Sequence, residues 1–589
     1  MKYSVNKIKG WQIGASFVLL AFVAILPQFY KQTMVINSWD VPFHLSRMYE
    51  IYQGFLNGKW VPDISAYTFG ENGYGVNLFY GYSFIYVVAL IYLVVQKAVT
   101  AVLIGYVLLL SGAMGINYYI GTHFFKGNDK RFKAFLFATI YVLAPATFGE
   151  LVVRGLPGEL IGILMFPAVI GAFYLILFEH QNKWLIASLL SAITLTNHAL
   201  SVVLLFLVLG VMFITALLQR LILKSTILAL IKAAITTFLL SAFYIVPFIQ
   251  QSLAVHIAGP NSQWQPLDVW GSITASLKNE ATLNWTAIPV GTFVFVLVIM
   301  ISSALLVTRN YSVKMRHLSI ALVASVLLIA YAPTQILYKT PLHVFQVMGR
   351  FYPIVMTFST LFVVAGIDIL VREGYIQKLT SRWILIIGVF LAISSAWAMQ
   401  MNYYYQNNKT GDYGTKSAKY PNTVTNNNFV HQINNYYQLP IGSKDYLSKN
   451  RVVFSGNYQI GMWGDKRDAT QVLVNGKVSQ LKLIHEGYEF QVNKIPRQAH
   501  EITLPMTNYL GWKVTNDAGH PLKISVVKGK ISIKPHGSST IRLHYQKTFA
   551  HKISILLSLT TLVGIIFYFL LYKNWRNRLG MGRSYFDGR

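Results

Sequence analysis

Apolar runs of about 17–25 residues recur along this 589-residue chain, and that is the length of helix needed to cross a hydrocarbon core of about 30 Å. They fall at 12–30, 82–96, 101–124, 132–148, 158–178, 184–197, 199–218, 226–249, 286–308, 317–332, 352–371, 383–400 and 552–572. In lipid each backbone polar group must be satisfied within its own segment, so runs of this kind fold as helices. Only 12% of residues are charged, against about 25% in soluble domains, and the mean hydropathy is +0.46. The expected class is a polytopic α-helical membrane protein with about 12–13 transmembrane helices. Lys2, Lys7 and Lys9 precede the first run, no small-residue cleavage site follows it, and it reads as a retained span.

Charge sets the expected topology. The net charge of +29 suits the cytoplasmic excess of Lys and Arg in membrane proteins, and no basic module or stacking motif points to nucleic acid. Basic clusters at 126–133, 220–224, 309–317, 372–382 and 573–583 belong in the cytoplasm, which puts 149–157, 250–285, 333–351 and 401–551 outside. Two full spans between 82 and 124 would break this pattern, so 82–96 is either re-entrant or interfacial, or another assignment fails. The absence of cysteine excludes disulfides and thiolate metal sites.

Residues 401–551 change character, dividing the chain into a helical unit (1–400, with a first external loop at 31–81), a β-rich extracytoplasmic domain, and a last helix with a basic tail (552–589). Alternating stretches begin at Gln471, Tyr488, Leu522 and Ile531, with turn signals at Asn475-Gly476, Glu486-Gly487, Lys528-Gly529 and His536-Gly537. This spacing predicts a small β-sandwich tethered by membrane helices, preceded by a linker over 402–428. The 401–551 stretch holds 19 basic and 8 acidic residues, an excess that suits an anionic polymer or lipid head groups as well as a merely soluble domain.

Acids are scarce in the helical unit: twelve in the first 400 residues. Asp40 follows the first span, with His44 and Arg47 four and seven residues on. A carboxylate at a membrane boundary stays ionised as it would not at the bilayer centre, so Asp40 is a candidate general base. It is equally well placed to cap a helix starting at Val41-Pro42. Residues 41–59, with Leu45, Met48, Tyr52, Phe55 and Leu56 at helical spacing and Trp39 alongside, read as an interfacial helix lying along the membrane. Arg154 and Glu159 share an outer loop and form either site residues or a structural ion pair. Arg350, near Gln346, Lys339 and His343, sits at another outer boundary, where a planar guanidinium suits a lipid phosphate or simply reaches head groups. His198 follows Asn197 between two apolar segments and is a packed helix-end residue or a ligand.

Taken in order, these motifs resemble the GT-C superfamily of membrane glycosyltransferases, closest to bacterial members labelled 6-pyruvoyl-tetrahydropterin synthase-related membrane proteins and the neighbouring YfhO-type proteins. The matching elements are Asp40-Val-Pro-Phe43-His44, Gly58, Gly73-Tyr74-Gly75, Phe79-Tyr80, Arg154-Gly155 with Glu159, and Thr196-Asn197-His198. The family's Gln-Phe-Pro-Trp-Arg-Phe is kept only at Gln346, Arg350 and Phe351. The likeness covers about 12–400 and, more loosely, Tyr509-Leu-Gly-Trp512. The pterin label carries no chemistry here, because those soluble enzymes hold zinc on a histidine cluster absent from this sequence.

The resemblance implies sugar transfer from a polyprenyl-phosphate carrier to a cell-envelope glycan or lipid on the outer face of the cell membrane. Asp40 would be the base, with Glu159 or His44 orienting it. Arg350 would bind the lipid phosphate, with Arg154 or Lys339 in support and Gln346, His343 and His198 nearby. A divalent ion on Asp40 and Glu159 is a further candidate. The alternatives are a transporter or flippase of lipid-linked sugars, which would be expected to place charges near the midplane, and a non-catalytic scaffold presenting the β-domain. No internal repeat or nucleotide-binding loop is present.

Overall fold

The structure is a computed structural model that describes residues 9–35, 40–257, 265–279, 286–308, 313–372, 374, 376–410, 423–435, 446–450 and 471–578. Lys2, Lys7, Trp39, residues 309–312 and 579–583 of two basic clusters, and 411–422 of the expected linker lie outside these.

Each of the thirteen apolar runs is helical, but they are not equally long. Among the described residues, seven helices are long and apolar enough to cross a membrane: Gly10–Phe29, Ala98–Phe124, Pro157–Leu177, Ala199–Leu218, Lys224–Val255, Met348–Arg372 and Phe549–Leu571. An eighth is a bent pair, Lys130–Val142 and Pro145–Val152, angled by 42°. Pro145 stands at that break, where its missing N–H cannot continue the ladder. Five apolar helices are shorter: Ser83–Val95, Trp184–Leu195, Thr292–Leu306, Met315–Ala330 and Ile386–Met401. Of the expected 12–13 helices, seven or eight among the described residues are long enough to cross unaided, and the other five are shorter. Ser83–Val95 rises only about 20 Å at 1.5 Å per residue, too short to cross a core of about 30 Å alone.

The C-terminal region is a sandwich of two antiparallel sheets, with strands ordered Lys477–Val478, Leu473–Val474, Ile502–Thr507, Lys530–Ile533, Ile524–Val527 in one and Leu483–Glu486, Glu489–Val492, Ile541–Tyr545, Trp512–Asn516 in the other. The turn dipeptides fall where the sequence puts them. Asn475-Gly476 and Lys528-Gly529 each have positive φ at both residues, as a two-residue hairpin turn needs. Within the described part of the expected linker, the helix beginning at Lys378 runs to Thr410, and Thr423–Thr425 pairs antiparallel with Thr33–Val35 beside the first span.

The sandwich is docked on residues 40–80, not merely tethered. Its core is continuous with Ile64, Ala66, Leu78 and Phe79. Glu50, fully buried, accepts hydrogen bonds from the Ala66 and Tyr67 amides (2.9 and 3.1 Å), the Thr68 hydroxyl (2.8 Å) and the Tyr488 hydroxyl of the sandwich (2.8 Å). Lys547 pairs with Asp63 at 2.5 Å. The Gly73-Tyr74-Gly75 element meets Tyr509-Leu-Gly-Trp512 here. A Cβ on Gly73 would lie 2.7 Å from Trp512 and 2.8 Å from Met506, and one on Gly75 would lie 2.8 Å from Tyr509. Gly73 also has φ +73°. Gly73→Ala is therefore expected to cost about 1–3 kcal/mol by overpacking, with backbone strain in addition. The check is a lower melting temperature together with faster proteolysis of the sandwich; an unchanged melting temperature would argue against this docking.

The helix Val41–Leu56 corrects the interfacial reading. Val41, Phe43, His44, Leu45, Ser46, Arg47, Met48, Tyr49, Glu50, Ile51 and Gly54 are all buried. Its polar stripe is covered by residues 62–81 and the sandwich, which supply hydrogen-bond partners in place of water and head groups.

Candidate functional site

Asp40 lies half-buried at the start of this helix. Its amide donates to the Arg154 carbonyl at 3.0 Å, which fixes the start of the helix against the turn at 149–155. Its side chain accepts no hydrogen bond from the helix's first amides, so the capping role is not the one it performs. Three residues later Phe43, then His44 and Arg47, continue the stripe into the protein.

The second acid arrives by a different route. Gly155, at φ +66°, ends the turn at Gly149–Arg154, and Pro157 opens the next helix with Glu159 in its first turn. Glu159 is buried and its Oε1 lies 3.2 Å from Arg350 Nε. Arg350 also donates from Nη1 to Gln346 Oε1 at 2.7 Å and to the Phe345 carbonyl at 3.3 Å. Gln346 has φ +64°, an unusual conformation for a residue with a Cβ, and the bend it makes helps carry its amide to the guanidinium. Arg154, for which a structural pair with Glu159 is one of two readings, forms an ion pair with Glu150 one helical turn away. Sequence reasoning passed over Glu150 because it sits in an apolar run; its i,i+4 spacing to Arg154 is the signal that would have found it.

Tyr80 joins these groups. Its hydroxyl lies in the electrostatic field of Arg47, Glu159, Asp40 and Arg350, and burial pushes its pKa up, so the phenol stays protonated. Its ring is 5.4 Å from that of His44 and 6.2 Å from that of His198. His198 stands immediately before the helix from Ala199 without capping its first amides, and its Nδ1 lies 2.8 Å from Ser201 Oγ. The Thr196-Asn197-His198 element packs tightly because glycines face it. A Cβ on Gly81 would meet the Thr196 carbonyl at 2.5 Å, and one on Gly158 would meet the Asn197 carbonyl at 2.7 Å. Asn197 Oδ1 accepts the Phe84 amide at 2.8 Å, tying that helix in.

The His44 and His198 rings thus flank Tyr80, within electrostatic reach of Asp40, Glu159 and Arg350, while Arg350 holds Glu159 and Gln346 and Arg154 pairs with Glu150. Lys339 and His343 stand apart. Lys339 is exposed, and His343 Nδ1 lies 2.9 Å from the Thr340 carbonyl; neither forms a hydrogen bond or ion pair with Glu159 or Arg350. Like Glu150, Arg47 and Tyr80 are not singled out as site residues by local sequence, although Arg47 lies on the same helical stripe as His44.

A divalent ion between Asp40 and Glu159 does not suit this arrangement. The Glu159 carboxylate already faces a guanidinium, and a dication there would be set against that charge. Among the described residues no three His, Asp or Glu side chains form a ligand group. What the cluster offers instead is a carboxylate at a boundary, fixed cations, and neutral hydrogen-bond donors.

No family model matches the chain, and no curated protein does. Among solved structures it is similar to the arabinofuranosyltransferase AftD from Mycobacteria, at a TM-score of 0.41 and 13% identity, over 66% of this chain and 27% of that one. It is also similar to an oligosaccharyltransferase of Archaeoglobus fulgidus in the apo form, at a TM-score of 0.37 and 13% identity, over 69% of this chain and 59% of that one. The chain thus spans less than two thirds of the length of either. Its own helices and sheets establish the architecture: a polytopic helical membrane protein carrying a β-sandwich on the segment that presents Asp40.

Proposed function

We propose that the protein is a GT-C-type glycosyltransferase moving a sugar from a polyprenyl-phosphate carrier to an extracytoplasmic cell-envelope glycan or lipid. The observation that carries this reading is the ion pair between buried Glu159 and Arg350, with the Asp40 helix start anchored through its amide to the Arg154 carbonyl of the adjoining turn and Tyr80 in the electrostatic field of all three. An acceptor hydroxyl attacks the anomeric carbon and gives its proton to Asp40. The bond from that carbon to the phosphate oxygen breaks, its electron pair leaving with the lipid phosphate. Arg350 stabilises that oxygen as its charge grows. Glu159 holds Arg350 by its Nε, which orients the rest of the planar guanidinium. The ordered motifs from Asp40 to Phe351 support the same assignment, and the docked sandwich covers the segment that carries the base.

Deleting the gene in the source organism is expected to remove a sugar from an envelope glycan or lipid and to accumulate a polyprenyl-phosphate-linked sugar. Both should revert when the gene is restored. Unchanged glycans and lipid-linked pools would sink the enzyme reading.

A further inference from the structure

Arg47 is a fully buried cation with no carboxylate in ion-pair contact among the described residues. Its Nη2 donates to the Tyr80 and Gly81 carbonyls at 3.1 and 3.0 Å and, with Nε, to Asn77 Oδ1 at 3.3 and 3.4 Å. Its guanidinium lies 4.7 Å from the centre of the Tyr80 ring. Neutral carbonyls hold this charge in place without cancelling it.

The remaining contact determines a tautomer. Arg47 Nη1 lies 3.5 Å from His44 Nδ1. A guanidinium can only donate, so Nδ1 must be the bare, accepting nitrogen and Nε2 carries the proton. Burial, with the positive charge of Arg47 adding to it, lowers the His44 pKa and keeps the ring neutral. That leaves Nε2–H as a donor. Nε2 is buried and has no hydrogen-bond partner. Buried donors of this kind are seldom left unmade. The Tyr80 hydroxyl, beside the His44 ring, also makes no hydrogen bond among the described residues, and it too stays protonated. Two neutral donors whose rings lie 5.4 Å apart, with one uncancelled cation behind them, suit an oxygen-rich anion.

We infer that His44 Nε2–H and Tyr80 O–H, backed by Arg47, form a second wall of the phosphate site and bind the phosphate oxygens of the lipid carrier opposite Arg350. This rests on the glycosyltransferase reading for the identity of the carrier, but the binding itself can be measured without turnover. Arg47 is a positioning residue: it fixes the tautomer of one donor and the ring of the other.

The test uses the full chain in nanodiscs and three probes: a polyprenyl monophosphate, the matching polyprenol, and inorganic phosphate. Tyr80→Phe removes only the hydroxyl and keeps the ring over Arg47, so its melting temperature should match wild type. Its affinity for the polyprenyl monophosphate should fall about tenfold, the size of a lost hydrogen bond to a charged group. His44→Leu should lose as much, and His44→Gln, which restores a donor, should recover part of it. Inorganic phosphate competing with the lipid, and showing the same losses, would locate the recognition in the phosphate; competition absent but losses retained would locate it in the lipid-linked phosphate as a unit. Wild-type affinity in both Tyr80→Phe and His44→Leu, or equal binding of the polyprenol, overturns the inference. If these losses appear while gene deletion leaves every envelope glycan unchanged, the phosphate site stands and the transferase reading falls.

Discussion

Asp40→Asn is expected to reduce sugar transfer by about 10²–10⁴-fold while leaving the fold and lipid-phosphate binding at wild-type levels. The magnitude is that of removing a positioned general base. Asparagine keeps the size and shape of the side chain, and the hydrogen bond that anchors this position, from the Asp40 amide to the Arg154 carbonyl, belongs to the backbone and survives the change. Because the carboxylate accepts no hydrogen bond from the first amides of its helix, the substitution should cost little as a lost cap. Asp40→Glu retains the base but moves it by one methylene, and should fall between the two, since a displacement of about 1 Å can cost about a hundredfold. The readouts are transfer rate, melting temperature and polyprenyl-phosphate affinity. A stable Asp40→Asn protein that transfers at the wild-type rate would remove Asp40 from the mechanism.

The second large effect falls on Arg350. Arg350→Ala leaves buried Glu159 without its ion-pair partner, and breaking a buried pair from one side costs about 3–5 kcal/mol. Transfer and thermal stability should both collapse, which alone would not distinguish a binding role from a structural one. The double variant Glu159→Gln with Arg350→Met separates them. Removing both charges spares the desolvation cost, so stability should return close to wild type. Transfer should remain lost, because nothing in the variant stabilises the departing phosphate. Arg350→Lys should keep some stability and lose much of the rate, since an ammonium cannot hold Glu159 by one edge and a phosphate by another. Restored transfer in the double variant would show the pair to be structural only.

How much of this was legible in the chain depends on whether the signal is local. Hydropathy places all thirteen apolar helices, because each satisfies its own backbone in lipid, and the Asn-Gly and Lys-Gly pairs mark their hairpins because only certain residues accept positive φ. The ion pairs were less accessible. Arg154 has acids on both sides, Glu150 four residues before and Glu159 five after; only the first has helical spacing, and the outcome follows it. The partner of Glu159 lies on a different helix far along the chain, a pairing that no local pattern encodes. The Val41–Leu56 helix misled for a related reason. His44, Arg47 and Glu50 give it a polar stripe like that of a surface helix, and sequence cannot tell a stripe facing head groups from one met by carbonyls and amides of another segment. The strand pattern by itself describes the sandwich only as a tethered domain. Its docking emerges only when Gly73 and Gly75 are seen against Trp512 and Tyr509.

The most direct test of the central proposal uses lipid-linked sugars extracted from the deletion strain, mixed with envelope acceptor and purified full-length protein in nanodiscs. Wild type is expected to consume a polyprenyl-phosphate-linked sugar, release polyprenyl phosphate and glycosylate the acceptor, and Asp40→Asn, equally folded, to do so at least a hundredfold more slowly. Consumption of the carrier at the same rate by both proteins, or by neither, would contradict the proposal.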